Sequence, residues 1–454
     1  MLYLGNLYGC NTSRQYTSKL ILLVIHKINF RTTMSKKIAI IGTGISGLTC
    51  GHLLHQKYNI TLFEANDYIG GHTATKDVEV GGRHYAIDTG FIVFNDWTYP
   101  NFIKLMDKIG VQSQTTEMSF SVKNLAQNLE YNGNTLNSLF AQRRNIFRPK
   151  FWRIVKDILK FNKICKKGAS EKTDYGQQTL HEFLIQHQFS DDFTYNYILP
   201  MCAAIWSTSL EDIKVFPFTF FLKFFNNHGL LNVTDRPQWR SIDGGSREYI
   251  KPLIAGFEEN IILNSPVKSV TNRDNQKLLR LQDDSEHLFD EVVFACHSDQ
   301  ALSILTSPSL SQTEILGDMS YAMNEVILHT DHSVLPVRKL AWASWNYLIK
   351  GYDGESQAPA VLTYNMNILQ NIQSDTTFCV TLNNSKDIDK EKVLGTYQYA
   401  HPQFSNQTIA AQKRWSEISG KDGLHFCGAY WYNGFHEDGV HSALDVCQSF
   451  GEHL

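Results

Sequence analysis

Three glycines near the start of the chain, Gly42, Gly44 and Gly47, are spaced as G-x-G-x-x-G, and Glu64 closes the next apolar run. That set can bind a dinucleotide. The first glycine permits a tight turn out of a strand, the second lets backbone approach a pyrophosphate, and the third lets the following helix pack closely. The pyrophosphate then lies at the positive end of that helix. A carboxylate ending the second strand accepts hydrogen bonds from an adenosine ribose.

Glycines at this spacing also occur in other α/β turns, so the surrounding elements carry the assignment. Residues 38–41 are an apolar β-branched run of the kind buried on both faces. Residues 48–56 have helical character, and residues 60–63 form a second apolar strand that ends in Glu64. Strand, glycine turn, helix, strand and acid follow in the required order.

Further along, residues 78–85 read as a hairpin around Gly81-Gly82, followed by a turn at Asp88-Thr89-Gly90-Phe91. Apolar spacing predicts a helix over 99–109. Residues 142–167 carry Arg143, Arg144, Arg148, Lys150, Arg153, Lys156, Lys160, Lys163, Lys166 and Lys167 against one acid, Asp157. At about 100° per residue, Phe151, Ile154, Val155, Ile158 and Cys165 share one face, and Arg153, Lys156, Lys160, Lys163 and Lys167 the other. Such a helix either lies on an anionic membrane surface or packs on its own domain with a solvated basic face. Residues 199–208 read as a small-residue helix or turn. Phe216, Phe218, Phe220, Phe221, Phe224 and Phe225 form a core or line an apolar tunnel.

After Gly244-Gly245, Ser246 reads as a helix N-cap. Residues 261–270 read as a strand pair, and 289–297 as one acid-led buried strand. Trp342, Trp345, Asn346, Tyr347, Tyr364 and Asn365 suit a substrate pocket or a sheet with half-buried aromatics. Near the end, a strand leads to Gly428, a loop covers 434–438, and a helix is expected over 439–447. Its N-terminus can stabilise negative charge, whereas Glu437 and Asp438 can simply cap it.

The 454 residues suffice for two domains, and a 43% hydrophobic content supplies a large core. A net charge of −3 argues against general nucleic-acid binding. Eight scattered cysteines without a C-x-x-C pair fit reduced thiols in the cytoplasm better than disulfides or a metal site. No stretch is long enough for a transmembrane helix. Residues 1–33 read as a disordered leader or an upstream start, or else as a targeting peptide.

Taken together, the elements from Met34 onward resemble the flavin-containing amine oxidoreductase superfamily. Gly70-Gly71 resembles the extended fingerprint of flavoproteins related to amine oxidases and carotenoid desaturases, and His72 stands where many relatives place a basic residue. More narrowly, ASWNYL, FHEDGVHSAL and VVFACHSDQAL resemble a group of FAD-binding oxidoreductases similar to the flavin domain of some cyclopropane fatty-acid synthases. The resemblance implies an α/β plus α+β fold. A Rossmann-like FAD-binding domain would comprise 34–112, 238–300 and 415–454, with an inserted substrate domain in 113–237 and 301–414. It implies noncovalent FAD, since no cysteine is placed for attachment. The residues implied at the cofactor are Gly42, Gly44, Ile45, Ser46, Gly47, Glu64, Ala65, Gly70, Gly71, His72, Thr73 and Gly90. Backbone at Val267 would meet the adenine, and Gly428, Glu437, Asp438, Gly439 and Val440 the isoalloxazine.

The activity implied is removal of a hydride equivalent from a small or lipid-like substrate. Amine oxidases of the superfamily place a lysine beside the flavin, and the matching strand here offers Asn324. That substitution points toward desaturase-like chemistry on a fatty-acyl chain, with amine oxidation as the alternative. A redox-neutral isomerase is a third reading. A flavin-binding accessory subunit of a lipid-modifying methyltransferase, resembling a cyclopropane fatty-acid synthase, is a fourth. No acid–base residue is assigned. His329 and Tyr430 suit either a place at the cofactor ring or a core position.

Overall fold

The computed structural model describes residues 35–351 and 360–454, so the expected extension over 1–33 lies outside the described residues. Lys37–Ile41 is a strand buried from Ile38 onward. It pairs in parallel with Asn59–Phe63 on one side and Glu291–Phe294 on the other. Ile261–Ile262 and Leu424–Phe426 complete a five-stranded parallel sheet. Parallel pairing brings every strand's C-terminal end to one edge, where ligands of open α/β sheets bind. Gly42, Glu64, Ala295 and Cys427 follow those ends and therefore share that edge.

The first helix, Ile45–Leu54, starts earlier than its apolar pattern suggests and is buried almost all round. It lies between the sheet and the last helix, His436–Ser449, within one apolar core. That double cover explains the small residues Ser46, Gly47 and Gly51 along it. The single strand expected over 289–297 is two. Glu286–Phe289 belongs to a three-stranded antiparallel sheet, and Glu291–Phe294 to the parallel one. Asp290 makes the break. Its N–H donates to the Lys37 carbonyl at 2.9 Å, and its carboxylate accepts from the Lys37 N–H at 2.8 Å.

A seven-stranded sheet forms the other half. Tyr321–His329 pairs with Val393–Pro402 and Cys379–Leu382 there. The segment around Trp345 builds this sheet, with Trp345 and Tyr364 half-buried. The Asn346 amide is spent on the backbone of Ala343 and Thr363 and on Ser121. His329 is likewise a core residue, bonded to Thr381 Oγ1 at 2.7 Å and to the Asp331 N–H at 3.1 Å. Helices packed on this sheet meet one another through phenylalanines. Phe183 and Phe218 stack at 3.7 Å, and Phe221 lies 4.0 Å from Phe225. Phe216, Phe218, Phe221, Phe224 and Phe225 are buried core, with Phe220 packed at its margin. Among the described residues, no helix is long and apolar enough to cross a membrane.

The hairpin Thr75–Val80 and Arg83–Asp88 is tied to the chain's middle by one buried carboxylate. Asp88 accepts from Thr75 Oγ1 at 2.6 Å, Ser246 N–H at 2.9 Å and Ser246 Oγ at 2.9 Å. Ser246 therefore serves Asp88 and does not cap a helix through its side chain. Removing a buried acceptor strands its donors at about 1–3 kcal/mol. Asp88→Ala should lower unfolding free energy by roughly that amount or more in urea titrations, with Asp88→Asn closer to wild type.

Candidate dinucleotide and substrate site

The edge of the parallel sheet is shaped by missing side chains. Gly42 has φ +102° and donates its N–H to the Phe63 carbonyl at 2.8 Å. A Cβ there would lie 2.8 Å from the Ala295 carbonyl oxygen. One on Gly47 would lie 2.0 Å from the Gly42 oxygen. Gly44 differs, because a Cβ on it would meet nothing within 4 Å. It faces open space, with Gly71 alongside: a Cβ on Gly71 would lie 3.2 Å from Gly44 Cα. The first helix has Gly44 as N-cap and no side-chain cap, so its first-turn N–H groups remain available to a ligand.

The last helix brings its N-terminus to the same place. Gly439 abuts the first helix, where a Cβ would lie 2.7 Å from Ile45 Cγ2. His436 stacks on Phe91 at 3.6 Å, and its Nε2 lies 3.2 Å from Thr73 Oγ1 and 3.1 Å from the Tyr249 hydroxyl. Gly90 allows this packing, because a Cβ there would lie 2.1 Å from the His72 carbonyl oxygen.

Beside the cradle stands a wall of imidazoles and phenols. The His72 ring lies 5.3 Å from Tyr399, 5.6 Å from His401 and 6.0 Å from His297. His297 stacks on Tyr321 at 4.1 Å. His401 Nδ1 lies 3.1 Å from Asn324 Nδ2, and Asn324 Oδ1 accepts from Asn383 at 2.8 Å. The three imidazoles are half-buried, and desolvation pushes His72 and His297 down to about 4 and His401 to about 3. They are neutral at pH 7. His72 faces the Ala400 carbonyl with one ring nitrogen, while its buried Nε2 has no partner. A ring N–H facing that carbonyl donates to it, which leaves Nε2 an acceptor.

This architecture recurs in known proteins. The model of the flavin containing amine oxidoreductase family matches residues 45–370. The chain belongs to that family. A probable flavin-containing monoamine oxidase A of Dictyostelium discoideum is 24% identical over 286 residues, 60% of each chain. The chain thus spans about 60% of the length of that curated relative. A CLA-producing fatty acid isomerase from P. acnes superposes with TM-score 0.63 at 14% identity, covering 91% of this chain and 98% of that one. Cyclohexylamine oxidase from Brevibacterium oxydans gives 0.63 at 14%, covering 92% and 100%. At these identities the structures establish a shared fold: a Rossmann-like FAD-binding part with an inserted substrate part.

Family membership implies an FAD-binding fold, and the residues present fit that cofactor. Gly44, Ile45, Ser46 and Gly71 form an open, uncapped cradle for the pyrophosphate. His72 Nε2 is an unpaired buried acceptor of the kind that a ribityl hydroxyl or a ring N–H satisfies. Glu64 is buried at the expected end, yet its carboxylate already receives Thr43 N–H, Thr43 Oγ1, Asn66 N–H and Asn66 Nδ2. A ribose hydroxyl joins it only by displacing one of these. Ala65 is exposed beside it. Val267 is half-buried at the start of its strand, two residues after Ser265, whose N–H donates to the Glu64 carbonyl at 2.8 Å. Gly70 donates its N–H to the Thr43 carbonyl at 3.1 Å.

Two side chains expected at the isoalloxazine are committed elsewhere. Glu437 accepts the Phe102 N–H at 2.8 Å and the Asn101 side chain at 2.7 Å, which caps the helix Pro100–Ile109. Asp438 accepts the Phe435 N–H at 2.8 Å and caps its own helix, with burial pushing its carboxyl up to about 7. Their helix still approaches the cradle through Gly439, whereas Val440 is fully buried core. Gly428 donates its N–H to Ser442 Oγ at 2.9 Å, and Tyr430 beside it is buried with an unpartnered hydroxyl near Tyr321. His401 and Tyr399 carried no recognisable signal, because a strand of the second sheet delivers them. His297 was legible only as the residue that follows a strand end.

Two predictions follow from this geometry. Gly44→Ala should leave apoprotein melting unchanged but weaken FAD binding at least about tenfold in a fluorescence titration, because its methyl fills only ligand space. The second concerns pH. Between about pH 6.5 and 4, the unfolded apoprotein takes up protons at His72, His228, His297, His329, His401 and His436 that the folded chain resists. Those groups make stability fall as the pH falls. Asp88, pushed up to about 6, and Asp438 act in the opposite sense, since the folded chain protonates them first. The histidines outnumber them, so the urea midpoint should drop steadily from pH 7 to pH 5; a flat or rising profile would show charged imidazoles in the fold.

Proposed function

We propose that the chain is an FAD-dependent oxidoreductase that removes a hydride equivalent from a small amine, with the cytoplasm as its location. The carrying observation is the neutral wall of His72, His297, His401, Tyr321, Tyr399 and Asn324 beside the cradle. Its hydrogen bonds run between neutral partners, such as Asn324 with His401 and Tyr399 with Thr89. Such a wall offers acceptors and ring faces to an amine. It offers a carboxylate no matching charge. The same substrate part already holds one ammonium over a ring: Lys76 Nζ lies 4.8 Å from the Tyr397 centroid. The 24% identity to a protein named as a probable monoamine oxidase supports the amine class, while cyclohexylamine oxidase shares the fold alone. The fatty-acyl reading of the sequence has only a shared fold behind it, at 14% identity to a fatty acid isomerase. The comparisons reach the superfamily and do not single out a group linked to cyclopropane fatty-acid synthases.

Bound FAD would supply the two-electron acceptor, held noncovalently. The chain's own residues bind it, orient the substrate and exclude water. His401 fixes the Asn324 amide from one side and Asn383 from the other, so the residue that the family resemblance sets in place of a lysine is a rigid neutral amide. The imidazoles are too weakly basic to hold a substrate proton at neutral pH. The free amine is the form that can lose hydride, and this wall supplies no base strong enough to make it from the ammonium.

The test is anaerobic mixing of the holoprotein with monoamines, diamines and unsaturated fatty acids while flavin absorbance is followed. Amines alone should bleach it. The rate should rise about tenfold per pH unit below the amine pKa, because the wall contributes no ionisation of its own above pH 5. Bleaching by fatty acids and not by amines would overturn the proposal.

A further inference from the structure

One surface is left unexplained by the site. The helix Pro149–Ser170 spans 22 residues and buries Phe151, Ile154, Phe161 and Cys165 against the core. That inner face accounts for its folding. Its outer face is not simply basic. Trp152, Lys156, Leu159, Lys163 and Lys166 recur at spacings of four and three, so they form a single stripe along the helix. Trp152 is 44% exposed and Leu159 55%. At the head of the helix, Ile146 and Phe147 project from a short turn, Phe147 being 86% exposed. Arg143, Arg144, Arg148 and Lys150 surround that tip in sequence. Trp152 Nε1 donates to the Ile146 carbonyl at 2.8 Å, which locks tip and stripe into one unit.

The charge on this unit is largely free. Lys150, Lys156, Lys163 and Lys166 form no ion pair among the described residues, and neither do Arg143, Arg144 and Arg148. The nearby acids are occupied: Asp157 by the N–H and hydroxyl of Ser190, and Asp192 by Arg153 at 3.3 Å. Scattered exposed apolar residues are ordinary. Here four of them, including two aromatics, are interleaved with unpaired cations on one rigid turn and helix.

We propose that this unit docks the protein on an anionic lipid bilayer. The helix would lie in the interface plane, about 33 Å long. Phe147, Ile146, Trp152 and Leu159 would enter the acyl boundary. The lysines, whose stems lie along the same stripe, would meet the lipid phosphates. A soluble polyanion would use the cations but gain nothing from the apolar residues, and that difference separates the two occupants. The inference does not depend on the substrate.

The experiment is co-sedimentation of the holoprotein with phosphatidylcholine vesicles, with and without phosphatidylglycerol, at low and high salt. Binding is expected only to the anionic vesicles and should weaken with salt. Phe147→Ser should reduce partitioning about tenfold, as should Lys156→Glu with Lys163→Glu. Melting temperatures should stay unchanged, since all three positions are exposed. Failure to sediment with anionic vesicles at low salt would overturn the proposal. So would binding that is indifferent to Phe147→Ser while heparin or RNA binds equally well, because the occupant would then be a soluble polyanion.

Discussion

The structure depends on a close approach of backbones at the carboxyl edge of the parallel sheet. The turn at Gly42, the first helix at Gly47, the strand exit at Ala295 and the last helix at Gly439 meet with almost no room for side chains. A Cβ on Gly42 or Gly47 would overlap main-chain oxygen, and flexible side chains cannot yield there to relieve it. Close packing at this point sets where the first helix begins. It also sets which amides face the cradle and how near the last helix can come. The rest of the FAD-binding half serves to hold these segments, far apart in sequence, at contact distance. The bond set of Thr73, Tyr249 and His436 does this in miniature, joining three separated parts of the chain under the Gly70-Gly71 turn.

Acidic residues around such a cradle pose an electrostatic problem, since a dinucleotide brings negative charge of its own. The chain resolves it by binding each carboxylate to backbone N–H groups before a ligand arrives. Glu64 holds the Thr43 and Asn66 amides, Glu437 starts one helix, Asp438 starts another, and Asp88 fastens the hairpin to Ser246. A carboxylate with amide donors has its charge compensated locally and rigidifies the loop that carries it. Burial then moves Asp88 and Asp438 toward neutrality, which reduces repulsion further.

This distribution of labour explains what could be read from the sequence. The strand, glycine turn, helix and acid were legible because local periodicity and glycine geometry dictate them without reference to the rest of the chain. The hairpin at Gly81-Gly82 and the inner face of the basic helix were legible for the same reason. Glu437 and Asp438 admitted both a cofactor and a capping reading, because a carboxylate at a helix start has the same local signature whether it meets a ligand or an amide. Only tertiary placement of Asn101 and Phe102 distinguishes the two. The break at Asp290 was invisible because an acid inside an apolar run does not reveal which sheet each half will join. His401 and Tyr399 face His72 across a pairing between sheet and turn that no local pattern encodes.

The neutrality of the wall follows from the same packing. His72, His297 and His401 stand near one another, so protonating one would impose a like charge on the next as well as a desolvation cost. Each imidazole therefore helps keep its neighbours uncharged. Asn324 belongs to this logic. A lysine in its place would bring a charge beside the neutral His401. The amide instead donates toward His401 and accepts from Asn383, so both ends are satisfied without charge. A site built this way acts through orientation, hydrogen bonding and exclusion of water. Proton storage is not among its means.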